Sequence, residues 1–503
     1  MMANRFNTHI TKIGLQEQAG FMSNRGCVDA TAALKITLQN LTATGQEAFV
    51  LFVDIVKAFD SVNREMLWTI LAKYGVPSGT ISTIKKMYTN ISVSVRVGKA
   101  KEKFTSRSGV KQGDNLAPIL FLFVIQAAVE SMQKEWPTAK PNLEWSPNEF
   151  IPGKGLQYKG SLTQRSTRAK DNVKLDHNKS FYADDAAFIF LSFEDLITGT
   201  KHIRDHFRFF GLQVHLGTRS SGEPNAPKKD IKSKTEAMYF PPFSRRKEKL
   251  PTNRLSGSYD IGENRFVSFC PHFRYLGTNI TPDLDDTFDI DTRITAATKA
   301  WHSMQSVLTD KSINKDIRKK LYLAIPVNIL LWGCDSWALS SSHLKKLATF
   351  HHKCARRLCG ITLWHCQHYG ITTKDVLESR LKLLPIHQII AIRQLRFLQN
   401  VALQNSTRLT RKIMNSQAVR IEGMNLPKGD RISTQRAYKD VLTRAKLVGP
   451  KSGGSLAEWI PKLRSSGIST IIEQNLELPE NSFCRGQKQK KAKKPSMFQK
   501  YNR

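Results

Sequence analysis

The chain has 503 residues, with 77 Lys and Arg against 42 Asp and Glu, a formal charge of +35. That length allows about two to four domains with ample core, and its apolar content excludes a basic chain disordered throughout. A folded protein this basic calls for a polyanionic partner, nucleic acid first. Seven scattered cysteines, an odd number, argue against a disulfide framework and for a reducing compartment. No signal peptide is read at the start, and the longest apolar runs, 116–129 and 321–332, are short for a bilayer and carry Pro. A soluble, intracellular protein without membrane contact is expected.

Residues 1–45 read as mainly helical, broken around Gly20 to Gly26, and Ala48 to Val53 reads as a short buried strand. The spacing of Leu67, Ile70, Leu71 and Tyr74 predicts a helix, capped by Asp60 or Ser61 and ended by Gly75 and Pro77. A hairpin-like alternation follows over 92–98, with a Lys-rich turn at 99–103. The loop Ser108 to Asn115 leads into an apolar helix from about Pro118 to Met132. Residues 137–180 and 217–232 are polar stretches expected as surface insertions. Between them come a strand–turn–strand at Asp184-Asp185, a helix over about 194–210 ended by Gly211, and a strand over Leu212 to Leu216. Strands are expected again at 234–240 and 273–277, and helices over about 290–405. From about 406 order weakens, and 488–495 is a basic low-complexity tail suited to nuclear targeting or RNA tethering.

The most informative segment is Tyr182-Ala183-Asp184-Asp185, an acidic pair framed by apolar residues. Burying two adjacent carboxylates is costly unless a cation compensates, and a divalent metal with oxygen ligands is the usual one. Asp54 ends another apolar run. Phosphodiester formation needs a 3′-hydroxyl placed in line with a triphosphate and the developing charge neutralised, which two Mg2+ ions held by carboxylates can do. The acidic pair is expected on a hairpin tip, with Asp184 doing most of the ligation and Asp54 facing it from the neighbouring strand.

Five segments occur in order: Phe52 to Asp60, Tyr74 to Pro77, Gly109 to Asp114, Phe181 to Asp185, and Phe273 to Gly277. Together they resemble the reverse transcriptase domain of non-LTR (LINE-type) retrotransposons, over about residues 15–280 and more loosely over 281–400. The resemblance implies an α+β fold with right-hand polymerase architecture. Residues 1–45 would be partial fingers, 46–280 the palm (an antiparallel sheet plus helices), 281–405 a helical thumb, and 406–503 a weakly ordered basic C-terminal region. It implies an RNA-directed DNA polymerase using two Mg2+ ions, with Mn2+ as substitute, and an RNA template, a DNA primer and dNTPs as partners, at an intracellular, nuclear location.

Residue by residue, Asp54, Asp184 and Asp185 match the metal-binding catalytic acids, and Lys234 the lysine that can protonate leaving pyrophosphate. Phe59 matches the bulky residue under the sugar, Gln112 and Gly113 the loop beside the templating base, and Arg25 a fingers arginine near the incoming nucleotide. Tyr182 joins them among the substrate-binding positions. Phe273, Tyr275, Leu276 and Gly277 match the primer grip. Departures are Met22 where the family has Arg and Ala117 where it has Ser, an interruption at 217–232, and no fingers motifs or endonuclease before Gly20. These fit an N-terminally truncated element, so a catalytically inactive nucleic-acid-binding remnant is the rival reading; a maturase-type intron enzyme is a lesser one. Cys354, Cys359, His365, Cys366 and His368 lie close in sequence, but no two-residue Cys spacing occurs. They are read as core cysteines and surface histidines. Lys345, Lys346, Arg356 and Arg357 are candidate phosphate contacts of the thumb.

Overall fold

The computed structural model describes residues 2–145, 173–220, 229–243, 252–405, 408–414, 416–418, 433–447, 460 and 462–463. Most of the insertion expected at 137–180, half of that at 217–232, and the basic tail lie outside the described residues. The chain divides into two compact units: described residues up to Leu284 with 403–418, and those from Asp285 to Ala402 with 433 onward. No described helix is long and apolar enough to cross a membrane.

In the first unit, helices α1 (Met2–Ile13) and α2 (Cys27–Ala43) flank an irregular stretch of turns at 15–26 and precede strand β1 (Ala48–Val53). A single helical turn, α3 (Ala58–Ser61), leads to α4 (Arg64–Lys73) and α5 (Ser78–Tyr88). The cap of α4 is Asn63, whose side chain accepts from the Met66 N–H at 3.1 Å; Asp60 and Ser61, the expected caps, belong to the preceding turn. Then come the exposed hairpin β2 (Ser92–Val97) and β3 (Ala100–Thr105), and α6 (Ala117–Lys134), buried almost all round as its unbroken apolar sequence requires.

Strands β4 (Asn142–Trp145) and β5 (Val173–Asp176) pair within the expected insertion. The acidic hairpin follows as β6 (Lys179–Tyr182) and β7 (Asp185–Phe190), then α7 (Phe193–Phe209), β8 (Gly217–Thr218), β9 (Glu236–Phe240) and α8 (Thr252–Leu255). Residues 212–216, expected as a strand, make only an isolated bridge from Val214 to Ile55. A hairpin not anticipated from the sequence, β10 (Ser258–Gly262) and β11 (Arg265–Phe269), turns at Glu263 and Asn264, both at φ +55°. Phe273 to Gly277 is likewise half of a hairpin, β12 (Phe273–Tyr275) and β13 (Thr278–Ile280).

The main sheet runs β10-β11-β9-β1-β7-β6, with β8 beside β11. Its centre, β1, is buried at all six residues because both faces are covered. Phe49, Leu51 and Val53 join the cluster around α4, α6 and α7; Ala48, Val50 and Phe52 join the one formed with α2 and the β12–β13 hairpin. A late segment returns to this unit: Leu409–Met414 packs on α2, and β14 (Gln417–Ala418) pairs with β4.

The second unit is helical: α9 (Thr287–Ser303), α10 (Gln305–Thr309), α11 (Lys315–Tyr322), α12 (Asn328–Leu330), α13 (Ser341–Leu358), α14 (Leu363–His368) and α15 (Ile386–Leu403). Its core gathers Trp301, Tyr322, Trp337, Leu347, Cys354 and Leu377. Buried polar groups are tied in: Asp289 accepts from Trp337 Nε1 at 3.0 Å and lies 3.6 Å from Arg293 Nε, and Asp286 accepts from the Ala338 N–H at 2.7 Å. Cys354 is a core residue, while Cys359 and Cys366 are half-buried. Of the basic residues expected to meet phosphate, Lys346 pairs with Asp291 at 2.7 Å, Lys345 is exposed, and Arg356 and Arg357 are half-buried.

Candidate active site

Antiparallel pairing of β1 with β7 sets Val53 opposite Ala186, so Asp54 and Asp185 come next to each other at one end of these interior strands. Asp54 lies two residues from Phe52, and Asp185 two from Ala187, which puts both acids on the face covered by α2 and the β12–β13 hairpin. Tyr182 pairs with Asp185, leaving Ala183 and Asp184 as a two-residue turn with Ala183 at φ +57°. The hairpin tip expected from sequence is therefore present.

Electrostatics mark these acids. Burial, with Asp54 opposing, raises the Asp184 carboxyl above its usual range, against a backbone hydrogen bond that lowers it. Burial, then Asp184 and Asp54, pushes Asp185 up to about 6. No Lys, Arg or His forms an ion pair with any of the three among the described residues. Their oxygen donors suit a hard divalent cation. Among the described residues, however, no three His, Cys, Asp or Glu side chains gather closely enough to hold one ion between them.

Asp54 is pinned through its backbone. Its N–H donates to the buried Thr235 Oγ1 at 3.1 Å, and its carbonyl accepts from the His215 N–H at 2.8 Å. Lys234, the residue before Thr235, is exposed, and its own N–H donates to His215 Nδ1 at 3.3 Å. The lysine is thus carried to Asp54 by its neighbour.

The acidic turn is braced from the N-terminal side. Residues 17–19 run along the free edge of β6, the Ala19 N–H donating to the Phe181 carbonyl at 2.8 Å and the Phe181 N–H to the Glu17 carbonyl at 3.0 Å. Gln18, 4% exposed, accepts from the Ala183 and Gly20 N–H groups at 2.9 and 2.8 Å and donates to the Ala183 carbonyl at 3.3 Å. The Tyr182 hydroxyl is pushed up to about 12, first by the Cys27 thiol hydrogen-bonded to it and then by burial.

Phe273 stacks on Phe52 with ring centres 4.0 Å apart and planes 6° from parallel, and the Tyr275 hydroxyl donates to Ser180 Oγ at 3.2 Å. The β12–β13 hairpin is therefore bolted under the face that carries the acids. Its turn holds Leu276 at φ +49° and Gly277 at +83°. With Ala183, that makes two non-glycine residues in left-handed backbone in the two hairpin turns of this face, at a cost of roughly 1–2 kcal/mol each.

Phe59 and Gln112 form a second cluster. The Phe59 ring stacks on Phe121 at 4.7 Å and its carbonyl accepts from the Val110 N–H, while Gln112 Nε2 donates to Asp60 Oδ1 at 3.3 Å. Gly113, at φ +90° in an exposed turn, answers a backbone need; a Cβ there would meet nothing within 4 Å. Arg25 departs from expectation. Its Nη1 donates to the carbonyls of Leu15 and Gln18 at 2.6 and 2.5 Å, and burial lowers it to about 10. It props up the 15–18 segment rather than reaching out to a nucleotide. Sequence reasoning missed Gln18, Gly20, His215 and Thr235. The signals were adjacency alone: Gln18 and Gly20 ahead of α2, Thr235 beside Lys234.

Residues 1–217 match the family model described as reverse transcriptase (RNA-dependent DNA polymerase). The Retrovirus-related Pol polyprotein from type-2 retrotransposable element R2DM of Drosophila melanogaster is 29% identical over 136 residues, 27% of this chain and 13% of that protein. Its counterpart from the type-1 retrotransposable element R2 of Popillia japonica is 37% identical over 99 residues, 19% of this chain and 16% of that protein. The chain thus spans less than a fifth of the length of these relatives. A solved telomerase from Candida albicans, in complex with a fragment of telomeric RNA, aligns over 83% of this chain and 58% of its own at 10% identity. Its TM-score of 0.34 is too low to carry an argument.

Proposed function

We propose that this chain, whose residues 1–217 form a reverse transcriptase domain of the non-LTR retrotransposon kind, works as an RNA-directed DNA polymerase, extending a DNA primer 3′-end on an RNA template with dNTPs. The observation that carries the reading is the meeting of Asp54 with the Asp184-Asp185 turn, where burial and like charge hold the Asp184 and Asp185 carboxyls above their normal range and no cationic side chain among the described residues pairs with them. Asp54, Asp184 and Asp185 would hold two Mg2+ ions, or Mn2+ in their place; when bound, these supply the positive charge that lowers the barrier to in-line displacement.

The chain's own groups do the positioning. Thr235 and His215 fix the Asp54 backbone, Gln18 fixes the turn, and Phe273, Tyr275, Leu276 and Gly277 would grip the primer. Phe59 and Tyr182 would lie against the incoming nucleotide, and Gln112 and Gly113 against the template. Exposed Lys234 is the candidate proton donor to leaving pyrophosphate. In this reading residues 1–45 serve as fingers, 46–280 as palm and 281–405 as thumb of a right-hand architecture, acting in the nucleus. The rival, an inactive nucleic-acid-binding remnant, draws support from the absence of a three-ligand cluster among the described residues.

The deciding experiment is extension of a DNA primer on an RNA template with Mg2+, beside Asp184→Ala/Asp185→Ala. Extension lost in the variant supports the polymerase. No extension by either, with equal salt-sensitive RNA binding by both, supports the remnant.

A further inference from the structure

The second unit carries a surface that this reading leaves without a use. Helix α14 and the residue after it put Leu363, Trp364 and Tyr369 into water at 63%, 52% and 67% exposure. Single exposed rings are ordinary, but a contiguous set marks a contact surface. Here four rings touch. Trp364 lies nearly parallel to His368, centres 4.2 Å apart; His365 lies nearly parallel to Tyr369 at 6.1 Å; Trp364 meets Tyr369 edge-on at 5.8 Å. A helix this short frays unless its start is fixed. Thr362 fixes it, its Oγ1 accepting from the His365 N–H at 3.2 Å while its own N–H donates to His365 Nδ1 at 3.0 Å.

The chain leading into the rings is basic. Arg356 and Arg357 end α13 just before them. The Lys311 side chain comes within 3.4 Å of where a Cβ on Gly360 would stand. Arg380, Lys315 and Arg318 act on the Cys359 thiol, opposing the rise that burial causes there. The acids that follow are engaged: Asp375 accepts from the Thr372 N–H and hydroxyl at 2.9 and 2.6 Å, and Glu378 lies 3.8 Å from Lys374. Arg318 is spent on the carbonyls of Ile313, Leu308 and Leu358, which leaves Arg356, Arg357 and Lys311 as the cations available to a ligand. Stacked rings with basic residues close by in the chain are what an unpaired strand recognises, since every base offers a π-face and every linkage a phosphate.

We infer that the Trp364–Tyr369 ring cluster is a stacking platform for unpaired bases of single-stranded RNA, whose phosphates lie against Arg356, Arg357 and Lys311. The choice of RNA rests on the polymerase reading, in which the template is RNA.

The test is fluorescence anisotropy of a short labelled oligouridylate with the full chain and with Trp364→Ala/Tyr369→Ala, over a range of salt. A duplex of equal length and an oligodeoxythymidylate serve as controls. The double variant should lose about tenfold in affinity for the single strand, the equivalent of ~1.4 kcal/mol and within the range for one stacked base. The salt slope and duplex affinity should not change, and Trp364→Phe should retain most of the binding. Thermal melting identifies a misfolded double variant, in which case Trp364→Gln carries the comparison.

Unchanged single-strand affinity, an equal loss on duplex, or a loss confined to the deoxy-oligomer would overturn the assignment. So would self-association, read by sedimentation, that the variant abolishes while RNA affinity holds, because the rings would then be a protein contact. Binding is read without catalysis, so a chain that fails to extend primers and a platform that fails to stack are separate results.

Discussion

Gly20 lies against the backbone of the acidic turn, and Gly20→Ala is the sharpest perturbation of it. A Cβ at this position would stand 2.3 Å from the Ala183 nitrogen, 2.9 Å from the Tyr182 carbonyl carbon and 3.2 Å from Ala183 Cα. Non-bonded heavy atoms settle near ~3.5 Å, so about one ångström of overlap must be relieved, and both sides are backbone. Neither gives easily: Gln18 holds the Gly20 N–H at 2.8 Å and grips Ala183 on both its N–H and its carbonyl. The substitution should cost ~2–3 kcal/mol, the upper part of the overpacking range. It should also displace the turn bearing Asp184 by about one ångström, an error worth on the order of a hundredfold in rate at a reacting centre. Urea denaturation reads the first effect, and single-turnover primer extension at saturating Mg2+ the second. A variant with the parent's midpoint and rate would refute the bracing role given to residues 17–20. A parent that does not extend leaves the denaturation arm standing.

Three further outcomes are expected. Asp185 titrates near 6 in the folded chain, against an ordinary value of 3.8, because of burial and then Asp184 and Asp54. The folded state therefore keeps a proton that the unfolded state has lost in that window, so stability falls as pH rises through it. Asp185→Asn should be the more stable protein at neutral pH, by ~1 kcal/mol after solvent screening of a group that is only partly buried, with the two converging below pH 4; urea midpoints at both ends of the window check this, and the reverse order would contradict it. Lys57, exposed and held at φ +45°, should tolerate Lys57→Gly with a gain of about 0.5–1 kcal/mol from relief of the left-handed backbone, read as a rise in melting temperature; a fall would show that the turn needs the side chain. Asp289→Ala removes the fully buried acceptor of Trp337 Nε1 and partner of Arg293. A loss of ~3–5 kcal/mol is expected, and a loss under about 1 kcal/mol would mean that the pair is not structural.

Legibility in the sequence followed the range of the forces involved. The buried strand at 48–53 was plain because covering both faces leaves an unbroken apolar run, and the acidic tip was plain because carboxylates are rare in such company. The order of motifs tied Asp54 to Asp184 and Asp185 across 129 intervening residues. What could not be read was contact made by backbone. Gln18 works by hydrogen bonds to main-chain groups of Ala183, and any polar residue near a glycine looks the same in one dimension. Thr235 supports Asp54 with a hydroxyl that the sequence offers to anything within reach. Arg25 was read by position as a nucleotide contact, yet its guanidinium is turned to the carbonyls of its own neighbourhood. The β10–β11 hairpin was not anticipated; its strands are five residues each and its turn depends on left-handed backbone at two successive non-glycine residues, Glu263 and Asn264.

The return of the chain to the first unit has a consequence for its synthesis. Asn40 Nδ2 donates to the carbonyl of Ser416, and β14 supplies the third strand beside β4. Until residue 418 leaves the ribosome, one face of α2 lacks its cover and β4 has an open edge. At roughly 5–20 residues per second, residues 285–402 of the helical unit are made over on the order of ten seconds while the first unit waits unfinished. An exposed strand edge over such an interval invites pairing with another nascent chain, so the yield of folded protein should respond to translation speed and to chaperones more than to the stability of the finished molecule.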